Sequence, residues 1–356
     1  MSLTTNENRI TTEELRELLA GRRLPKWAPW ALAGGAIGIS LLLLAVGVLG
    51  GVAQAAVSAG VLFLVGQAVW SFRIEGRRHA TDRFATTLIY SAFVVAIVPL
   101  VAILFSVIQK GLEVLRPEFF TETMRNVSSR GTGGGILHAL IGTIEQVLMA
   151  TIIAVPIGVM VAIYLVEYGK GKLATTISFF VDVMTGVPSI VAGLFIFTGL
   201  ILTFGLERSG FAASLALVIL MLPVVVRTTE EMLKLVPKDL REASYALGVP
   251  KWRTITSIVL PTALSGIITG VMLAVARVAG ETAPLLLTTF LTQSLNWDLF
   301  SGPQAALPTF IWDQISSGTD PSVNRAWGGA LVLILFVALL YVGARIVAKI
   351  FAPKTR

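Results

Sequence analysis

The sequence predicts an all-α polytopic membrane protein, and three observations carry that prediction. Of the 356 residues, 55% are hydrophobic and only 14% charged, with a mean hydropathy of +0.81, against about 25% charged in soluble globular domains. Apolar runs long enough to cross a hydrocarbon core of about 30 Å recur along the chain. Lysine and arginine are unevenly shared between the polar segments joining those runs. The chain has no cysteine, which excludes a disulfide framework and a thiolate metal site, and His79 and His138 are its only histidines. The net charge of +7 is therefore read through topology and not as a nucleic-acid footprint.

Residues 1–28 are polar, with an amphipathic stretch after Thr12, and read as a cytoplasmic N-terminal tail. The run over residues 30–50 follows Arg22, Arg23 and Lys26 and precedes Ala53-Gln54-Ala55, so it imitates a signal peptide. Its length and the second apolar run at 52–72 argue instead for a transmembrane hairpin occupying residues 29–73, with Gly50 and Gly51 at the turn. A third span is expected at 84–108, opening a multi-span transmembrane region that runs over residues 84–350. The polar loop at 109–135 ends in Gly131-Thr132-Gly133-Gly134-Gly135, which lacks the order of a phosphate-cradling loop and reads as a flexible connection. Residues 136–165 form an apolar run interrupted by Pro156 and containing Glu145, an intramembrane carboxylate and so a functional candidate. Two placements of Glu145 stay open, near the outer interface or against a neighbouring subunit.

The segment at 174–204 is broken at Gly186-Val187-Pro188 and starts with an amphipathic stretch around Asp182. A tight Glu207-Arg208 turn then leads into a span at 211–226. After the longest inner loop come a span over 263–288, a polar outer segment (289–324) whose aromatic residues suggest interfacial or re-entrant packing, and a last span at 327–347. Eight spans in all are expected. On this topology 21 of the 28 basic residues fall inside and 6 outside, which leaves Arg277 alone in the membrane and puts both termini in the cytoplasm.

Pro237 and Pro250 bracket a short polar helix-forming segment, 238–247, followed by Gly248 as a C-terminal cap. It is too short and too charged to span. Its small residues Ala243, Ser244 and Ala246, with Leu247, suit close approach by another protein. Downstream, Gly266 and Gly270 have the spacing of close helix contacts. Arg277 and Glu281 stand four apart in the span over 263–288 and so face the same way on its helix, each at a cost of about 2.5 to 3.5 kcal/mol near mid-bilayer. Mutual neutralisation is one reading of the pair. The other is a site bordering an aqueous path, where a planar guanidinium suits a tetrahedral oxyanion and Glu281 holds Arg277 in place while weakening its grip.

Glu242-Ala243-Ser244, Gly248, and Ile258 followed by Leu260-Pro261 resemble the EAA loop of ATP-binding-cassette importer permeases, with Ser in place of Ala at the third position. The stretches ARVAGETAPLL (276–286), GILHALIGT (135–143), PIGVMVAIYLVEY (156–168) and GVPSIVAGLF (186–195) are similar to the phosphate-specific branch, most of all to its PstA-type subunits. The resemblance implies a six-helix type I importer core, preceded here by the extra hairpin, in a bacterial cytoplasmic membrane. It implies a coupling loop over 238–252, with Glu242, Ala243, Ser244 and Gly248 against a separate ATPase, and a substrate pathway at Arg277, Glu281 and Thr282. The implied partners are a second, PstC-type permease subunit, two copies of a cytoplasmic ATPase that carry ATP and Mg, and an external phosphate-binding protein. The chain itself is expected to bind no cofactor and to be no enzyme. Movement imposed at Glu242 to Gly248 is expected to reach Arg277 along the helix after Pro261. Three alternatives remain at this point: an importer for another oxyanion or small solute, an ion-coupled secondary transporter using Glu145, Arg277 and Glu281, and a non-transporting scaffold.

Overall fold

A computed structural model describes residues 24, 25 and 27–351. The expected tail at 1–28 therefore lies almost entirely outside the described residues, as do Lys354 and Arg356. Every regular element among the described residues is helical. Seven helices are long and apolar enough to cross a membrane, and an eighth candidate is a pair bent by 107° at the Gly186-Val187-Pro188 break. The chain separates into two units, Met1–Leu104 and Phe105–Arg356.

In the first unit, α1 (Ala28–Ala45) and α2 (Val52–Glu75) form an antiparallel pair, followed by the beginning of α3 (Arg77–Leu112). The connection occupies residues 46–51 and so contains Gly50 and Gly51, with Gly47 as its left-handed residue at φ +78°. Gly50 donates its N–H to Gln54 Oε1 at 2.6 Å. Ser58 bonds Ser40 across the pair at 2.8 Å. At the other end the buried Glu75 carboxylate accepts from the Leu24 N–H, the Ser71 hydroxyl and the Arg83 guanidinium, each at 2.7 Å.

The second unit is organised around α8 (Gly210–Lys234), a helix that is apolar up to Val226, charged over its last two turns and buried on most sides. Against it pack α5 (Leu137–Ile163), α6 (Lys172–Thr185), α7 (Ser189–Ile196) and α11 (Leu260–Ala279). The shared core is built of small and medium side chains, among them Ala150 and Ala154 of α5, Leu217 and Met221 of α8, and Ala274 and Val278 of α11. Such residues let helix backbones approach where lipid offers no hydrophobic drive between helices. Gly158 faces Val225, and a Cβ there would lie 2.7 Å from Val225 Cγ1. The Gly266 and Gly270 spacing is used as expected: added Cβ atoms would come within 2.3 Å of Met232 Sδ and 2.6 Å of Thr228. Three spans carry a π-helical turn at one end, Tyr164–Tyr168, Phe197–Thr203 and Ile255–Val259. The last of these ends two residues before Pro261, and the helix runs through it without a break, so the proline, which has no N–H to give the preceding turn, sits where the regular α-helical ladder is already interrupted.

The outer segment is more deeply packed than a surface loop. Gln304 and Ala305 lie against glycines of α5 and α8, where a Cβ on Gly142 would come within 2.0 Å of the Ala305 carbonyl and one on Gly210 within 2.0 Å of Gln304 Oε1. Thr143 Oγ1 accepts from the Leu307 N–H at 2.7 Å, where α13 (Leu307–Ser316) starts. The last helix, α14, spans Asp320–Phe351. The glycine loop at 131–135 is not the flexible connection its composition suggests. The buried guanidinium of Arg325 donates to the carbonyls of Gly131 (2.9 Å), Ser129 (3.2 Å) and Gly133 (3.3 Å) and to Gln314 (2.8 Å). Gly133 and Gly134 take left-handed φ of +97° and +74°. Gly135 passes so close to Phe119, in the short helix α4 (Pro117–Thr121), that a Cβ would lie 2.4 Å from its carbonyl.

Candidate functional site

The short polar helix forms where the sequence places it. α9 spans Lys238–Ala246, with Pro237 before it and Asp239 in its first turn, where a carboxylate complements the helix dipole. It ends in a paired cap: the Gly248 N–H bonds the Tyr245 carbonyl at 2.9 Å and the Val249 N–H bonds that of Ser244 at 3.2 Å. Gly248 takes φ +75°, the left-handed conformation this cap requires. A second short helix, α10 (Lys251–Thr254), follows and runs through the π turn into α11.

The two faces of α9 differ. Glu242, Ala243, Ala246 and Leu247 are exposed, as is Trp252 of α10, and Leu247 is 84% accessible. Ser244 points the other way. It is buried, and its hydroxyl shares a hydrogen bond with Thr254 at 2.8 Å, so the third motif position holds α9 to the following helical turn at 251–254 and takes no part in the exposed face. Arg241 is also turned inward. Its Nε and Nη2 reach Glu167 Oε1 at 3.0 and 2.9 Å, its Nη1 reaches the Val236 carbonyl at 2.6 Å, and Nη2 also meets that of Leu233 at 2.9 Å. From the far side of the loop the Lys251 ammonium bonds the Glu167 carbonyl and lies 4.8 Å over the Tyr168 ring. Sequence reasoning missed Arg241, Glu167 and Lys251; the available signal was an arginine next to the acidic motif residue and a lone carboxylate at the end of an apolar run.

Nearby, Arg227 of α8 bonds Asp182 Oδ1 and Glu230 Oε2, each at 2.5 Å, and the Ser178 hydroxyl at 2.9 Å. Lys234 meets Glu230 at 2.8 Å. This network ties the amphipathic α6 to the end of α8.

The membrane charge pair is the main correction. α11 stops at Ala279, with Gly280 as its C-terminal cap, and the chain resumes helix only at α12 (Ala283–Thr288). Arg277 and Glu281 therefore do not share one helical face, and neither side chain makes an ion pair or hydrogen bond with any described residue. The cause is local. Gly280 is a poor helix former, and Pro284 lacks the N–H that would bond the Gly280 carbonyl if the helix ran on. The amides at the break make shorter turns instead, from Gly280 to the Arg277 carbonyl (3.3 Å) and from Glu281 to that of Val278 (3.1 Å). Arg277 ends exposed on the last turn of α11, with Glu281 and Thr282 half-buried in the break. The idea that Glu281 grips Arg277 has no geometric basis in this chain. Glu145 has a partner that neither open placement supplied, the side-chain amide of Gln304, at 2.5 Å. Among the described residues no cluster of three or more His, Cys, Asp or Glu could hold a metal ion.

Broken apolar helices around a central one, together with a capped polar helix standing out from two adjacent spans, define the type I permease architecture of ATP-binding-cassette importers. The profile described as "Binding-protein-dependent transport system inner membrane component" matches residues 154–356, and the chain belongs to that family. The phosphate transport system permease protein PstA 1 of Mycobacterium tuberculosis is 48% identical over 281 residues, covering 79% of this chain and 91% of its own length. PstA of Mycobacterium leprae is 50% identical over 266 residues (74% and 88%), and PstA of Yersinia pestis 44% over 279 (78% and 92%). Among solved structures, a chain of a bacterial alginate ABC transporter bound to its periplasmic protein superposes with a TM-score of 0.52 at 14% identity, covering 77% of this chain and 99% of that one. That likeness concerns the fold alone.

Proposed function

We propose that this chain is one membrane subunit of an ATP-driven importer that moves inorganic phosphate across a bacterial cytoplasmic membrane. The observation that carries the transport mechanism is α9: a capped helix whose exposed face, Glu242, Ala243, Ala246 and Leu247, is free while its rear is anchored by Ser244 and Arg241. A protruding helix fixed from behind is suited to receive force from a soluble partner. In this reading the partner is an ATPase, present in two copies and carrying the ATP and Mg, with Gly248 keeping the helix end in shape. A second permease subunit completes the pathway and an external binding protein delivers the anion. Both termini lie in the cytoplasm.

Phosphate as the substrate rests on extensive identity to proteins named phosphate permeases. The chemistry of Arg277 agrees with it. An arginine at the end of an apolar helix, without an ion-pair partner among the described residues, carries a desolvation cost that water, the second subunit or a passing oxyanion offsets. Thr282 adds a hydroxyl in the same break, and Glu281 adds a negative charge that opposes tight retention of an anion. Uptake of labelled phosphate by cells relying on this chain tests the assignment. Arg277→Gln is expected to abolish uptake at normal membrane abundance and to leave ATPase co-purification intact. Unchanged uptake would rule Arg277 out of the pathway.

A further inference from the structure

The loop that presents α9 is gripped from inside by one side chain, and the grip joins three parts of the fold. The Arg241 guanidinium belongs to α9. Two of its bonds end on the carbonyls of Leu233 and Val236, at the end of α8, and two on Glu167, in the π turn that closes α5. Lys251, at the start of the helix that becomes α11, binds the backbone of the same Glu167. The ion pair is well shielded, with side-chain exposures of 14% for Arg241 and 5% for Glu167.

A shielded ion pair is a poor device for stability, since well-packed apolar residues of like volume do as well or better. What it supplies is direction. A planar guanidinium with its donors committed to three fixed acceptors resists rotation in a way that apolar packing does not. The acceptor on α5 sits in a π turn, a helical irregularity that concentrates at functional sites.

We propose that Arg241 and Glu167 are positioning residues for energy coupling: they form a rigid joint that converts displacement of α9 into movement of the inner ends of α5 and α8. The inference rests on the importer reading above and adds a route distinct from the path along α11. The outer face of α9 binds the ATPase; the Arg241 joint decides whether that binding moves the spans. Loss of the joint therefore separates ATP hydrolysis from transport without detaching the ATPase.

The test uses the assembled importer in proteoliposomes with loaded binding protein, reading labelled phosphate imported and ATP hydrolysed in the same sample. Arg241→Lys keeps the charge but lacks the planar fork, and Glu167→Gln keeps the shape but lacks the charge. Both are expected to retain the ATPase at wild-type stoichiometry and to raise the ATP used per phosphate imported by about 5-fold to about 150-fold, the range coupling free energies span. Glu242→Gln, on the docking face, is expected to lose ATPase stoichiometry instead.

Because the chain has no cysteine, Glu167→Cys combined with Arg241→Cys gives a second readout independent of the native pair's contribution to folding. A reducible bifunctional thiol reagent joining the two positions is expected to restore the wild-type ratio, and reduction to raise it again. A wild-type ratio in Arg241→Lys and Glu167→Gln, or a ratio insensitive to joining the two cysteines, overturns the joint. A wild-type complex that imports no phosphate with ATP overturns the importer reading itself.

Discussion

Gly248→Ala gives the sharpest quantitative test of how α9, the proposed coupling helix, is held. Gly248 sits at φ +75°, and no atom lies within 4 Å of where a Cβ would go. The substitution therefore meets no steric neighbour among the described residues, and its cost within them is conformational. An L-residue in the left-handed region pays about 1 to 2 kcal/mol. Alanine avoids that cost by opening the two cap bonds to Tyr245 and Ser244, which unwinds the end of α9 and misplaces Leu247. If ATPase docking needs the capped form, affinity falls by about 5-fold to about 30-fold, at 1.4 kcal/mol per factor of ten. Asparagine tolerates the left-handed region and should lose less than alanine despite its greater size. The assay is titration of purified ATPase onto detergent-solubilised permease, comparing glycine, asparagine and alanine at 248. Wild-type affinity for alanine, or an asparagine variant weaker than alanine, would refute the conformational argument; the second result would point to a steric requirement at the docking surface.

Two further predictions concern the packing of the segment at 289–324 and the loop at 131–135. Gly142→Ala places a methyl group 2.0 Å from the Ala305 carbonyl, an overpacking expected to cost about 1 to 3 kcal/mol and to lower the unfolding temperature followed by tryptophan fluorescence; Gly60→Ala in α2, with open space around it, should produce no such loss. Arg325→Met removes the clamp on the carbonyls of Ser129, Gly131 and Gly133; losing charge-assisted bonds worth about 1.5 to 3 kcal/mol should speed tryptic cleavage after the exposed Arg130 by at least about tenfold, and an unchanged cleavage rate would show that the loop is held by other means.

The elements most legible in the sequence were those set by local rules. Apolar runs located the spans because a membrane demands satisfied backbone groups over a fixed thickness. The bounds of α9 followed from Pro237, Gly248 and Pro250, and its observed end at Ala246 differs from the expected Leu247 by one residue. The Gly186-Val187-Pro188 break was likewise visible in the sequence. The failures came where a local signal competed with a pattern or where partners are distant in sequence. Spacing alone suggested that Arg277 and Glu281 pair, but Gly280 and Pro284 between and after them end the helix. The 131–135 glycines read as flexible because their clamp, Arg325, lies 194 residues from Gly131. Arg241 and Glu167 are 74 residues apart, and no periodicity links them. Ser244 looked like a tolerated change on a docking face, whereas burial and the bond to Thr254 make it part of the loop's inner support.

The central claim is tested most directly by reconstituting the chain with the proposed partners, a second permease subunit, an ATPase and an external binding protein, and measuring labelled phosphate uptake with and without ATP. The account predicts uptake that requires ATP and the ATPase, resists competition by excess sulfate, and is lost in Arg277→Gln. Uptake that persists without ATPase under an imposed ion gradient, or that sulfate abolishes, would contradict it.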